Sequence, residues 1–185
     1  MTAVSGSAAR CKLFLACFPD AQAAAQLARL VDDLRTHVPH ARWSSPQRRH
    51  MTLHFLAASE EPDSAAIERA RQVASQWRSD PFSIVLDHLR TLGHPRRPAL
   101  ALTASTLPET VQSAWSVLHH DVLAAGFEGE AGRPFLAHVT LAHAEPGVVL
   151  PQVPAIGLQV HECRLVLSRA GQADYDLLGR WPLRR

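Results

Sequence analysis

Apolar and polar positions change period several times along the 185 residues, and each change marks a new element. Cys11 to Phe18 is an almost unbroken apolar run and reads as a buried strand. Asp20 then caps an alanine-rich stretch to about Val38, in which leucines and Val31 recur at helical spacing. Ala41 to Trp43 fits a short strand. His50 to Leu56 alternates, which predicts a strand with His50, Thr52 and His54 on one face and Met51, Leu53 and Phe55 on the other. Pro62, Asp63 and Ser64 start a helix that runs to about Trp77. Phe82 to Leu92 and Ala99 to Thr103 read as two strands joined across Gly93 to Pro98. Pro108, preceded by Ser105 and Thr106, opens a third helix that Gly126 terminates. His138 to Ala142 alternates again, with His138, Thr140 and Ala142 sharing a face, and Leu158 to Ser168 and Tyr175 to Leu183 close the chain as strands. Ala144 to Pro154 is a loop. This order predicts an α+β chain with mostly antiparallel pairing.

Both alternating segments carry the tetrapeptide His-x-Thr-Leu, as His50-Met51-Thr52-Leu53 and His138-Val139-Thr140-Leu141. With 11 histidines, 8 threonines and 24 leucines, a shuffled chain would hold roughly 0.06 such matches, so the repetition is informative. It points to two structural halves that each give an imidazole and a hydroxyl to one site. Two imidazoles with an ordinary pKa near 6.5 can supply a general base and a general acid together near neutral pH. That pairing suits in-line displacement at phosphorus without a metal or a covalent intermediate. On a strand, each threonine hydroxyl emerges on the face of its histidine and can donate to a nonbridging phosphoryl oxygen. The bland reading, strand histidines bonded to backbone with threonine kept for β propensity, suffices for one copy and not for two. His50 with His54, or His138 with His143, could also be read as metal-ligand pairs. Strand alternation and the lack of a carboxylate or cysteine in either motif argue against that, so neither metal nor cofactor is expected.

Composition adds limits more than direction. A 46% hydrophobic, 19% charged chain is globular, expected here as one domain over 1–185 with a flexible 1–10 start. Nineteen basic against seventeen acidic residues leave a net charge of +2, too small for a broad duplex-binding surface. The run Leu13 to Phe18 is too short for a signal core or membrane span, which predicts a cytoplasmic protein with no membrane partner. Cys11, Cys17 and Cys163 lack metal-type spacing and read as buried thiols.

The chain resembles the two-histidine phosphoesterases, and within them the LigT-like RNA 2′,3′-cyclic phosphodiesterases. The resemblance is carried by Lys12-Leu13-Phe14-Leu15-Ala16, by Trp43 with His50-Met51-Thr52-Leu53-His54-Phe55-Leu56, and by Arg133-Pro134-Phe135 before His138-Val139-Thr140-Leu141-Ala142. Leu167-Ser168, Tyr175 and Trp181-Pro182-Leu183 extend it nearly to the end. It implies two pseudo-symmetric lobes, each a small, mainly antiparallel sheet with outer helices, around a central cleft holding one motif per lobe. It further implies hydrolysis of RNA or nucleoside 2′,3′-cyclic phosphate ends to 2′-phosphates, and in some members 2′-5′ joining of RNA in vitro. By analogy His50 is the proton donor to the leaving 3′-oxygen and His138 the acceptor that activates water, with Thr52 and Thr140 binding substrate. Two positions depart from the family pattern. His143 stands where the family commonly has arginine, exchanging a fixed phosphate contact for a titratable one. His54, also often basic there, would enter the cleft on the face of His50, either tuning it by like-charge repulsion or standing as a solvated bystander. Phe55 is expected in the core, while Arg133 and Arg96-Arg97 are candidate contacts to RNA phosphates. A monomer acting on RNA ends or a small cyclic nucleotide is expected. A noncatalytic RNA-end-binding module, or an enzyme for another cyclic or 2′-5′-linked nucleotide, stays open at this level.

Overall fold

The computed structural model describes residues 9–128 and 134–184. It orders the chain as β1 (Cys11–Cys17), α1 (Ala21–His37), β2 (Arg42–Trp43), β3 (Met51–Ser59), α2 (Ser64–Gln76), β4 (Phe82–Leu86) and β5 (His88–Leu92). There follow β6 (Ala99–Thr103), α3 (Glu109–Ala124), β7 (His138–His143), β8 (Ile156–Val160), β9 (Glu162–Arg169) and β10 (Asp176–Pro182). The strand order is β10-β9-β1-β3-β7-β6-β5, with β2 added on β7 and a separate β4-β8 pair. Every pairing is antiparallel.

A pseudo-twofold relation passes between the two motif strands. Strand, helix, antiparallel strand occurs as β1-α1-β3 and again as β6-α3-β7. The registers match residue for residue: Cys17, Ala16 and Leu15 face Met51, Thr52 and His54, while Leu102, Ala101 and Leu100 face Val139, Thr140 and Ala142. The two half-sheets, the lobes, meet where Met51 pairs with Val139, both fully buried. Because strand partners alternate faces, the residues flanking that pair, His50 with Thr52 and His138 with Thr140, turn to the opposite, open side.

The helices lie where their apolar stripes demand. Asp20 accepts from Ala23 N–H at 2.8 Å to start α1, and Asp63 accepts from Ala65 and Ala66 to start α2. Leu27, Leu30 and Leu34 of α1, Ala70 and Val73 of α2, and Trp115 and Leu118 of α3 are buried on the apolar faces behind the sheet. Cys11, Cys17 and Cys163 are buried in the core as free thiols, and burial pushes Cys163 up to about 12. Among the described residues no helix is long and apolar enough to cross a membrane.

One expected strand divides. Phe82 to Leu92 breaks at Asp87, whose carboxylate accepts from Ser105 Oγ at 2.6 Å and from the Ser105 N–H at 2.8 Å. Its own N–H is tied to the Thr103 carbonyl, so β5 stays on β6 while β4 leaves to pair with β8. Ser105, expected as a helix start, is thereby used by Asp87, and α3 begins after Pro108 without a side-chain cap.

Candidate active site

The two motif histidines are built the same way. His50 Nδ1 lies 2.7 Å from the Arg48 carbonyl and His138 Nδ1 lies 2.8 Å from the Leu136 carbonyl, each two residues upstream. A carbonyl oxygen only accepts, so both rings carry their proton on Nδ1 and keep Nε2 for chemistry. In the antiparallel register set by Met51 and Val139, His50 comes opposite Thr140 and His138 opposite Thr52. Along the backbone each histidine thus lies across from the other motif's threonine. Beside each threonine the neighbouring strand carries a fully buried alanine, Ala16 next to Thr52 and Ala101 next to Thr140.

The surroundings of the two rings differ. His50 stacks on Phe14 with ring centroids 4.9 Å apart, has Phe18 at 5.7 Å, and meets Tyr175 edge-on at 5.3 Å. Thr52 Oγ1 donates to its Nε2 at 3.2 Å. Burial in this aromatic box, helped by the nearby His138 and Arg48 charges and opposed by the bond to the Arg48 carbonyl, lowers the His50 pKa to about 4. His50 is therefore neutral in the unliganded protein at pH 7.

Beyond the threonines, strict alternation fails in both motifs at the same place. Leu15 and Ala16 are adjacent but face His54 and Thr52, so Leu53 is an extra residue on β3; Leu100 and Ala101 face Ala142 and Thr140, so Leu141 is extra on β7. Each bulge reverses the face of the residues beyond it. His54 consequently leaves the face of His50 and is fully buried in the core. Its Nδ1–H donates to the Phe55 carbonyl at 2.8 Å, and its Nε2 lies 2.9 Å from His119 Nδ1. Trp115, stacked on His119 at 4.7 Å, donates its Nε1–H to the carbonyl of the bulged Leu53 at 2.7 Å. The expectation of His54 in the cleft is therefore corrected, and the His50/His54 ligand pair does not form. Phe55 is corrected in the other sense: it joins Phe14, Ala16 and Tyr175 in the small cluster on the cleft side. The same reversal turns Ala142 into a buried cluster with Val38 and Leu100, and brings exposed His143 to the cleft beside Thr140.

The cleft has a volume of about 880 Å³ and is lined by His50, Thr140 and His143 together with Arg10, Lys12, Arg42, Trp43, Arg48, Arg169 and Tyr175. Sequence reasoning assigned no role to Arg10, Lys12, Arg42, Arg48 or Arg169. Arg48 spans the cleft edge, donating to the Gln172 and Ala173 carbonyls and to Ser168 Oγ, with its guanidinium 4.2 Å from the Tyr175 ring centroid. Lys12 could have been noticed as the one charge inside an apolar strand, since alternation puts it at an edge of that run. Arg48 gave no such signal, because its partners are 120 and more residues away. Arg169 is paired with Asp176 at 2.7 Å. Arg133 lies outside the described residues.

A LigT like Phosphoesterase family model matches residues 18–101, an interval that holds the first motif. An RNA 2′,3′-cyclic phosphodiesterase of Bacillus subtilis (strain 168) is 32% identical over 107 residues, and the alignment spans 57% of each chain. A crystal structure of E. coli LigT complexed with 3′-AMP superposes with a TM-score of 0.77 at 25% identity, covering 97% of this chain and 100% of that one. TT0787 of Thermus thermophilus shares the fold, with a TM-score of 0.72 at 22% identity over 94% of this chain and 98% of its own. The first motif lies inside the matched interval and the sheet register brings the second beside it: over residues 18–101 the chain is similar to the LigT-like phosphoesterases, and over 97% of its length it shares the fold of E. coli LigT.

Proposed function

We propose that this protein hydrolyses the 2′,3′-cyclic phosphate at the 3′ end of RNA, or on a nucleoside, to a 2′-phosphomonoester. The observation that carries this reading is the crossed placement of two Nδ1-anchored imidazoles, each across the strand pair from the other motif's threonine, beside a cation-rich cleft that His50 and Thr140 line. The chain's similarity to a relative named for that activity supports it.

His138 Nε2 takes a proton from water as the water oxygen attacks phosphorus, and His50 Nε2–H gives a proton to the departing 3′-oxygen. Thr52 and Thr140 donate to the nonbridging oxygens, where negative charge grows in the transition state. His143 supplies further positive charge when protonated. Replacing water by a terminal 5′-hydroxyl at the same phosphorus would join two RNA ends through a 2′-5′ linkage. The protein works as a monomer in the cytoplasm, and the reaction needs neither a metal nor an organic cofactor.

His50→Ala and His138→Ala each lower hydrolysis of a nucleoside 2′,3′-cyclic phosphate by about two to four orders of magnitude, and EDTA leaves the wild type unaffected. Chelator-sensitive activity, or near-normal turnover in either variant, contradicts the mechanism. A noncatalytic binder would give no turnover at all.

A further inference from the structure

A second basic cavity, of about 390 Å³, adjoins the cleft and is lined by His40, Arg42, Arg96, Arg97, His143, Ala144 and Glu145. Arg42 and His143 line both cavities, and they are register partners across β2 and β7. The two spaces therefore share a wall that can be touched from either side. Arg96 and Arg97 come from the β5-β6 turn, which is held in shape. The Arg97 N–H donates to the His94 carbonyl at 3.1 Å, the Arg96 N–H donates to His94 Nδ1 at 3.2 Å, and Gly93 takes the φ of 81° the turn needs. Ala144 N–H bonds the Pro98 carbonyl at 3.0 Å, tying the end of β7 to the same turn.

Charge in this cavity is unbalanced. Three arginines and two histidines face one carboxylate, Glu145, and among the described residues none of Arg42, Arg96 or Arg97 has a carboxylate within ion-pair distance. Planar guanidinium groups without carboxylate partners are suited to a phosphodiester.

A terminal 2′,3′-cyclic phosphate fixes the direction in which the rest of an RNA strand leaves the cleft. The cyclic group is at the 3′ end, so the next phosphate is the diester on the 5′ carbon of the same nucleoside, one nucleotide away. We propose that the cavity of Arg42, Arg96, Arg97 and His143 holds this 5′-side phosphodiester, making the protein selective for oligonucleotide ends over mononucleosides. The inference rests on the hydrolytic reading of the cleft, and binding measurements test it separately.

The test compares affinity for a dinucleotide ending in a 2′-phosphate with that for a nucleoside 2′-monophosphate, by calorimetry in low salt. The dinucleotide binds about tenfold tighter to the wild type. That preference disappears in R96A/R97A, and R96K/R97K, which keeps the charge, restores part of it. The salt slope of dinucleotide binding falls by about one in the alanine variant. Equal affinities in the wild type, or a preference unchanged in R96A/R97A, overturns the subsite. Turnover of a nucleoside 2′,3′-cyclic phosphate, measured in parallel, reports on the parent reading: turnover without dinucleotide preference sinks the subsite alone. Circular dichroism and melting of both variants exclude loss of fold as the cause.

Discussion

The proton-donor role proposed for His50 makes a quantitative demand on substrate. Burial holds its pKa at about 4, so at pH 7 only about one molecule in a thousand carries the proton that the leaving oxygen needs. A phosphate anion near Nε2 supplies what is missing. At about 4 Å and the effective dielectric of a partly buried site, one unit charge stabilises the imidazolium by about 4 kcal/mol, roughly three decades in the protonation equilibrium. That lifts His50 from about 4 to near 7, where a donor is most useful at neutral pH. The assay is an NMR titration of histidine-labelled protein, with the His50 resonance assigned by H50Q, free and saturated with a nucleoside 2′-monophosphate. The free midpoint falls near 4 and the bound midpoint within about one pH unit of 7. A bound midpoint that stays below about 5 rules out protonation by the substrate's charge and exchanges the acid and base roles of the two histidines; a free midpoint near 6.5 rules out the effect of burial itself.

The same depressed pKa links stability to pH. Above the unfolded pKa of about 6.5 both states hold His50 neutral; as pH falls from there to about 4 the unfolded chain takes up a proton that the fold refuses, so stability is lost over that window. Urea denaturation at pH 7.5 and 4.5 shows the wild type losing about 2 kcal/mol more than H50Q, a figure discounted for partial exposure, and equal losses would contradict it. Thr140→Val removes one hydroxyl donor and lowers kcat by about tenfold to a hundredfold with little change in fold stability, as read by steady-state kinetics and melting. His54→Ala leaves a cavity and unpaired groups in the core and costs about 2 to 4 kcal/mol in denaturant unfolding, while the bell-shaped pH dependence of the residual activity keeps its limbs; limbs that shift would return His54 to the cleft.

What the sequence made legible, and what it hid, divides by the range of the interactions involved. His50, Thr52, His138 and Thr140 could be placed because a repeated motif and two-residue alternation are local facts. His54, Phe55 and His143 depend on the extra residues at Leu53 and Leu141, which exist only relative to the partner strands carrying Leu15-Ala16 and Leu100-Ala101. Local periodicity cannot count a residue on one strand against its neighbour on another, so His54 went to the wrong face. The Trp115 N–H that braces the Leu53 bulge comes from 62 residues downstream and was equally invisible. The α+β order, the Asp20 and Asp63 caps and the Gly126 helix end were readable, because each is set by a few consecutive residues. The split of Phe82 to Leu92 was not, since it turns on Asp87 reaching Ser105, 18 positions away.

The proposed function comes down to one bond: a 2′,3′-cyclic phosphate would be opened by breaking its link to the 3′-oxygen. Incubation with a nucleoside 2′,3′-cyclic phosphate, followed by phosphorus NMR of the product beside authentic standards, shows which bond breaks. The 2′-monophosphate alone is expected, formed by the wild type and abolished in His138→Ala; the 3′-monophosphate, or no reaction, would contradict the proposed chemistry.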